Sequence, residues 1–295
     1  CLKKNLEKAL EDLEGVKVRN LRDHLEVFCS VEQREEVRSR LRGVFGVVNF
    51  SWVAGTAPDF EAVAECAVRL VEEALNGVNS DRFQGADGVP FRVLVNRKDK
   101  QFSMNSMQIA AEISGRILPR FKGEDGKSHR LKVDLSHPKI ILNVTWDHDK
   151  VFLYANKEKG PGGLPVGSAG KVVALLSSGF DSPVASWMMM RRGAKLVFVH
   201  FHSYPAVGPE SIENVEVIVK ILNRHQFASF LYLIPLIEYQ KEVVAKAPSS
   251  LFVLLYRRMM MRLAQRVMYR EGGKALVTGE SLSQVASQTL DNLHV

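Results

Sequence analysis

The chain has 295 residues, 46% of them hydrophobic, with 40 Lys and Arg against 33 Asp and Glu for a formal net charge of +7. That length predicts two or three domains with proper cores and excludes a disordered or fibrous chain. No apolar run reaches the roughly 18 residues needed to cross a bilayer, and the N-terminus lacks the basic-then-apolar order of a signal peptide, so no membrane association and a cytoplasmic location are expected. Cys1, Cys29 and Cys66 form no CxxC pair and read as reduced thiols, with neither a disulfide framework nor a zinc site.

The chain opens on Cys, and Leu2, Leu6, Ala9, Leu10 and Leu13 recur at helical spacing from the start, predicting a helix over Cys1–Leu13 in a fold whose first strand is missing. Strand His24–Val31, helix Glu32–Leu41 and strand Val47–Trp52 complete a small α+β block over residues 1–52. A second block, 53–157, reads as helix Asp59–Leu75, strand Phe91–Asn96, helix Ser106–Leu118 and strands Ile140–Thr145 and Val151–Asn156 with a turn at Asp147–Lys150. Between Phe91 and Lys132 ten bases face four acids, among them Arg97, Lys98, Lys100, Arg116, Arg120 and Lys122. Such a segment fits contact with a phosphate backbone better than small-molecule binding.

Residues 158–170 are rich in Gly and Pro, either an interdomain linker or a loop packed against a ligand site. From 171 to 295 helices alternate with the apolar strands Val172–Leu176, Leu196–Phe201, Ser229–Leu233 and Ala275–Thr278, the pattern of a parallel sheet covered on both faces. The helix Ser249–Arg270 carries Arg257 and Arg258, which either reach toward phosphates or form a solvated basic face. The methionine runs Met188–Met190 and Met259–Met261 read as core filler. Gly126-Lys127-Ser128 mimics the end of a phosphate loop without its leading glycine, and His24, His129 and His137 lack metal-ligand spacing.

The chemistry concentrates after the first parallel strand. Ser177-Ser178-Gly179-Phe180-Asp181-Ser182 has little side-chain bulk before a helix start at Ser182-Pro183, so backbone amides and the helix dipole converge on one point suited to phosphate. Asp181 would be repelled there unless it holds Mg²⁺ or caps the helix. Ligands of parallel sheets sit at the carboxyl ends of strands, which adds His200, Phe201 and Gly279-Glu280-Ser281 to the neighbourhood.

The hexapeptide resembles the PP-loop of ATP pyrophosphatases, Ser-Gly-Gly-x-Asp-Ser, with Ser178 where the first Gly usually stands. Together with Arg97–Phe102 and Asn105–Met107, the junction Lys159–Gly167, and Thr278–Thr289, it makes nearly the whole chain similar to the tRNA 4-thiouridine synthetase (tRNA sulfurtransferase) family. The resemblance implies an N-terminal ferredoxin-like domain, a THUMP RNA-binding domain and a parallel-sheet domain of the adenine nucleotide alpha hydrolase (PP-loop) type. It implies ATP contacts from Leu175, Leu176, His200, Phe201, Arg257, Gly279 and Gln288, added to loop residues Ser177 to Ser182, with Asp181 catalytic and tRNA held by the basic segment. It also implies Mg²⁺, a cysteine desulfurase as persulfide donor, a sulfur-carrier protein of thiamine synthesis, and scope for a homodimer. The family's sulfur-carrying cysteine lies beyond residue 295, so this stretch is expected to bind ATP and tRNA without completing thiolation. The rivals are another PP-loop tRNA modifier and a non-catalytic THUMP RNA-binding protein.

Overall fold

The computed structural model describes residues 1–21, 24–77, 88–98, 102–122, 130–155 and 157–280. Its described residues divide into two compact units, one combining 1–48 with 159 onward, the other spanning 49–158.

The first unit begins with helix α1 (Leu2–Ala9), strands β1 (Lys17–Asn20) and β2 (Leu25–Phe28), and helix α2 (Arg34–Leu41). The helix expected over Cys1–Leu13 stops at Ala9, because the chain turns through Gly15, at φ 77°, into an antiparallel β1–β2 hairpin. Strand β1, Lys-Val-Arg-Asn, is mostly exposed and has no apolar alternation, so its sequence carries no strand pattern. Arg40 ties the two helices by donating to the Ala9 carbonyl (3.0 Å) and pairing with Asp12. The strand expected over Val47–Trp52 contracts to β3 (Asn49–Phe50), since the Val47 and Val48 carbonyls are taken by the amides of Gly162 and Gly160.

In the second unit, β4 (Ala54–Thr56), α3 (Phe60–Gly77), β5 (Val89–Arg97), α4 (Ser106–Ile117), β6 (Leu131–Val133), β7 (Ile140–Trp146) and β8 (Val151–Ala155) build a mixed five-stranded sheet of order β4-β8-β7-β5-β6. Ile109, Ile113 and Ile117, at i, i+4 and i+8, are fully buried with Phe91, Ile140, Leu142 and Trp146, so helical and strand periodicities close one core. A capping box starts α4: Asn105 accepts from the Gln108 amide while the Gln108 side chain accepts from the Asn105 amide.

Strand β9 (Glu158–Lys159), which pairs with β3, leads into residues 160–170. These are no loose linker. Gly160, Gly162, Leu164 and Gly167 donate to Val48, Val47, Arg191 and Gly193, strapping the N-terminal block to the parallel sheet that follows. At Gly163, φ 75°, a Cβ would run into the Arg191 carbonyl, so the approach requires glycine. The same seam carries an aromatic cluster in which the buried Phe45 stacks on His225 (4.6 Å) and meets Trp187 edge-on (5.4 Å).

The remainder is β10 (Lys171–Leu175), α5 (Asp181–Arg191), β11 (Lys195–His202), α6 (Glu210–Gln226), β12 (Leu231–Pro235), α7 (Ile237–Lys246), α8 (Phe252–Glu271) and β13 (Leu276–Val277), forming a parallel sheet of order β12-β11-β10-β13. Val172, Ala174, Leu196 and Phe198 pack toward Met190 of α5 and Val215 of α6, while Val173, Val197 and Val199 face Val267 of α8. Successive strand residues thus face opposite helical layers, which explains the uninterrupted apolar runs. The helix expected from Ser249 begins as a 3-10 turn, Ser249–Leu251, before α8 and ends at Gly272, φ 65°.

Candidate functional site

Where β10 ends the chain lifts off the sheet, and two serines close the resulting loop. The Ser177 amide donates to Ser182 Oγ (2.9 Å), the two hydroxyls lie 3.0 Å apart, and the Gly179 amide donates weakly to Ser177 Oγ (3.4 Å). Ser182 is buried, whereas residues 177 to 181 are exposed. Among the described residues the amides of Ser178, Phe180 and Asp181 donate to no protein group. Unpartnered amides at the start of an eleven-residue helix are an arrangement suited to an anion. Ser178 costs this arrangement nothing conformationally, because Phe227 is the one non-glycine at positive φ among the described residues. Asp181 is the first residue inside α5, not its cap, and its carboxylate accepts no hydrogen bond among the described residues. Asp181 thus does not cap α5.

His200 supports the loop from below. The Leu176 carbonyl can only accept, so His200 Nδ1 carries the proton and donates to it (2.9 Å), leaving Nε2 to accept from Ser211 Oγ (3.4 Å). Burial holds its pKa below the ordinary value of 6.5, against the hydrogen bond to Leu176, and His202 lowers it further. His200 is thus a neutral strut under the strand end. Phe201 points to the other layer, packing with the Val173, Val199 and Val267 cluster, so the pair implied to flank an adenine faces opposite sides of the sheet. Ser211 had no motif to mark it.

The loop after β13 closes on the same place. Gly279 lies so near the start of α5 that a Cβ there would overlap the backbone of Ser182 and Asp181. Its neighbour Glu280 accepts from Arg257 Nη2 of α8 (2.8 Å), both side chains about three-quarters or more buried. The structure therefore brings Leu175, Leu176, Ser177, Ser178, Gly179, Phe180, Asp181, Ser182, His200, Arg257 and Gly279 to one end of the sheet. Gln288 lies outside the described residues, as do Lys100 and Gly126-Lys127-Ser128. Among the described residues no three His, Cys, Asp or Glu side chains cluster as a metal cage.

The basic segment of the second unit is less free than its composition suggests. Arg97 donates to the carbonyls of Phe102 and Met104, both at 2.9 Å, and so braces the approach to α4. Arg116 pairs with Glu112 (2.8 Å) and Glu61 (2.9 Å), and Arg120 with Glu61 (3.5 Å). Lys98 and Lys122 are exposed.

With this geometry in view, three family models cover the chain: the ThiI ferredoxin-like domain over residues 1–51, the THUMP domain over 57–156, and the Thiamine biosynthesis protein (ThiI) over 167–295. A probable tRNA sulfurtransferase of Caldanaerobacter subterraneus subsp. tengcongensis is 36% identical over 294 residues, 100% of this chain and 72% of the relative. The chain belongs to the tRNA sulfurtransferase family. A second member, from Alkaliphilus metalliredigens, is 38% identical over 298 residues, covering 100% of this chain and 71% of its own length. The fold agrees with a solved 4-thiouridine synthetase in complex with RNA and bound ATP, at TM-score 0.84 and 30% identity over 99% of this chain and 72% of that one. Family and fold are thus those the motifs implied, and no described helix is long and apolar enough to cross a membrane.

Proposed function

We propose that this chain carries out the activation step of ATP-dependent tRNA thiolation, with the loop Ser177–Ser182 as its nucleotide site. The observation that carries the reading is the cradle of unpartnered amides at the head of α5, within a chain whose relatives are named tRNA sulfurtransferases and whose structural neighbour holds ATP and RNA. The domains proposed are ferredoxin-like over 1–52, THUMP over 53–157 and PP-loop over 171–295, with 158–170 as a fixed strap.

In the proposed reaction the O4 of a tRNA uridine, at position eight by resemblance, attacks the α-phosphorus of ATP, and the bond to the β-phosphate breaks. Charge grows on the departing pyrophosphate. The amides of Ser178, Phe180 and Asp181, the dipole of α5 and the Arg257 guanidinium oppose that charge where they already stand, so no reorganisation is needed as it develops. A persulfide whose sulfur comes from a cysteine desulfurase then attacks C4 and expels AMP, and a second thiol breaks the remaining S–S bond, leaving the sulfur on C4 and a disulfide between the carrier and that thiol. Mg²⁺ fits beside Asp181, since that ion takes one or two carboxylates together with substrate phosphates, and it would neutralise the phosphates there. His200 keeps the strand end in place and stays neutral, removing a mobile charge from beneath the nucleotide.

Arg97, Lys98, Lys100, Arg116, Arg120 and Lys122 are proposed to contribute to tRNA binding, Lys98 and Lys122 most directly and Arg97 by bracing the approach to α4. A sulfur-carrier protein of thiamine synthesis as second acceptor fits the description of the family model over 167–295. A cytoplasmic homodimer is the proposed setting. A non-catalytic RNA-binding protein is disfavoured, because the Ser178 substitution leaves the loop backbone in an ordinary conformation. Mass spectrometry of tRNA from a strain lacking the gene tests the reading: loss of 4-thiouridine supports it, and its persistence opposes it.

A further inference from the structure

Helix α8 presents Arg258, Arg262, Arg266 and Arg270 at four-residue intervals, all exposed. Like charges at i and i+4 repel by roughly 0.2–0.5 kcal/mol per pair in a helix, so the arrangement works against the element that carries it. Several arginines elsewhere among the described residues are answered by carboxylates: Arg38 by Glu35, Arg40 by Glu36 and Asp12, Arg116 by Glu112 and Glu61, Arg257 by Glu280. Along α8 the carboxylate is Glu271, committed to Lys171 (3.1 Å) and to the Tyr232 hydroxyl (2.6 Å). Among the described residues Arg258, Arg262 and Arg266 make no hydrogen bond, ion pair or ring contact, while Arg270 also lies over the Tyr232 ring.

From the geometry of this ladder we infer that the outer face of α8 is a phosphate-backbone contact surface for tRNA, additional to the basic segment before residue 132. The rise of an α-helix spaces the four guanidinium stems about 6 Å apart over about 18 Å, a row able to follow successive phosphates of one RNA strand. Tyr269, 69% exposed, lies within the same stripe and offers a flat face among the cations. The upper end of the row is also informative. Arg258 follows Arg257, which meets Glu280 at the nucleotide loop, so a strand lying along α8 would run up to that loop. An acidic protein would be met by the same charges, but an aromatic within an evenly spaced arginine row suits RNA better.

The inference rests on the proposed tRNA activity, and its test separates the two. Wild-type protein, R258Q/R262Q/R266Q and R258K/R262K/R266K are titrated with unmodified tRNA over a series of salt concentrations, with ATP affinity and melting temperature measured in parallel. The glutamine variant is expected to lose at least about tenfold in tRNA affinity at low salt, with its log–log salt slope shallower by about two to three. The lysine variant keeps most of the slope, and both keep ATP affinity and melting temperature. Unchanged affinity and slope in the glutamine variant, beside steep wild-type binding, would overturn the ladder and leave the proposed activity standing. Failure of the wild type to bind tRNA would overturn both.

Discussion

Asp181 shows how one side chain divides between competing roles. Its sequence position admitted a helix cap or a metal-facing carboxylate; the structure places it inside the helix without a capping hydrogen bond, and the metal-facing role is the one proposed. Asp181→Ala should therefore abolish AMP formation while leaving tRNA affinity within about twofold, readable by thin-layer assay of labelled ATP beside a binding titration. His200 makes a stability prediction of defined sign. Its folded-state pKa is depressed, so below the unfolded value of 6.5 the unfolded chain binds the extra proton and stability falls as pH drops. Unfolding midpoints measured at about pH 7.5 and about pH 5.5 should separate more in wild type than in His200→Asn, which cannot titrate in that window. An equal separation in both proteins would remove His200 as a source of the acid sensitivity.

Elements with strong periodicity were legible in the sequence. The run Ile109, Ile113 and Ile117 announced α4, and the continuous apolar runs at Val172 and Leu196 announced parallel strands, because burial there follows the repeat of the backbone. Strands β1 and β6 escaped, being three or four residues long and largely exposed, so pairing and not burial defines them. The strap at 160–170 was legible as irregular, with a linker and a packed loop both open, since its order comes from backbone hydrogen bonds to residues far away in the chain. In the site, the loop was readable from small residues before a helix start, whereas the Ser211 contact, the opposite facing of His200 and Phe201, and the Arg257–Glu280 pair depend on tertiary placement. Arg97 carries a prediction at this scale. Since it bonds two carbonyls leading into α4, Arg97→Ala should lower stability by about 1–3 kcal/mol, whereas Lys98→Ala should weaken tRNA binding and leave stability within about 0.5 kcal/mol. Denaturant melts and tRNA titrations of the two variants distinguish bracing from binding.

At the scale of the molecule, the parallel sheet gathers the loop after β10, the end of β11 and the loop after β13 at one edge, and each supplies a different service. The first presents amides, the second a neutral support, and the third a glycine that lets the loops touch and a carboxylate that holds Arg257. In the proposed function such an edge holds the nucleotide by backbone and dipole, leaving the acceptor to be chosen elsewhere. This is the division expected of an enzyme that activates one uridine in a folded RNA. The most direct test of that account is AMP release from ATP, followed with and without unmodified tRNA and with a tRNA whose target uridine is replaced. The account predicts AMP and pyrophosphate with the unmodified tRNA and neither with the replaced one. Equal AMP release in all three cases, or ADP in place of AMP, would contradict it.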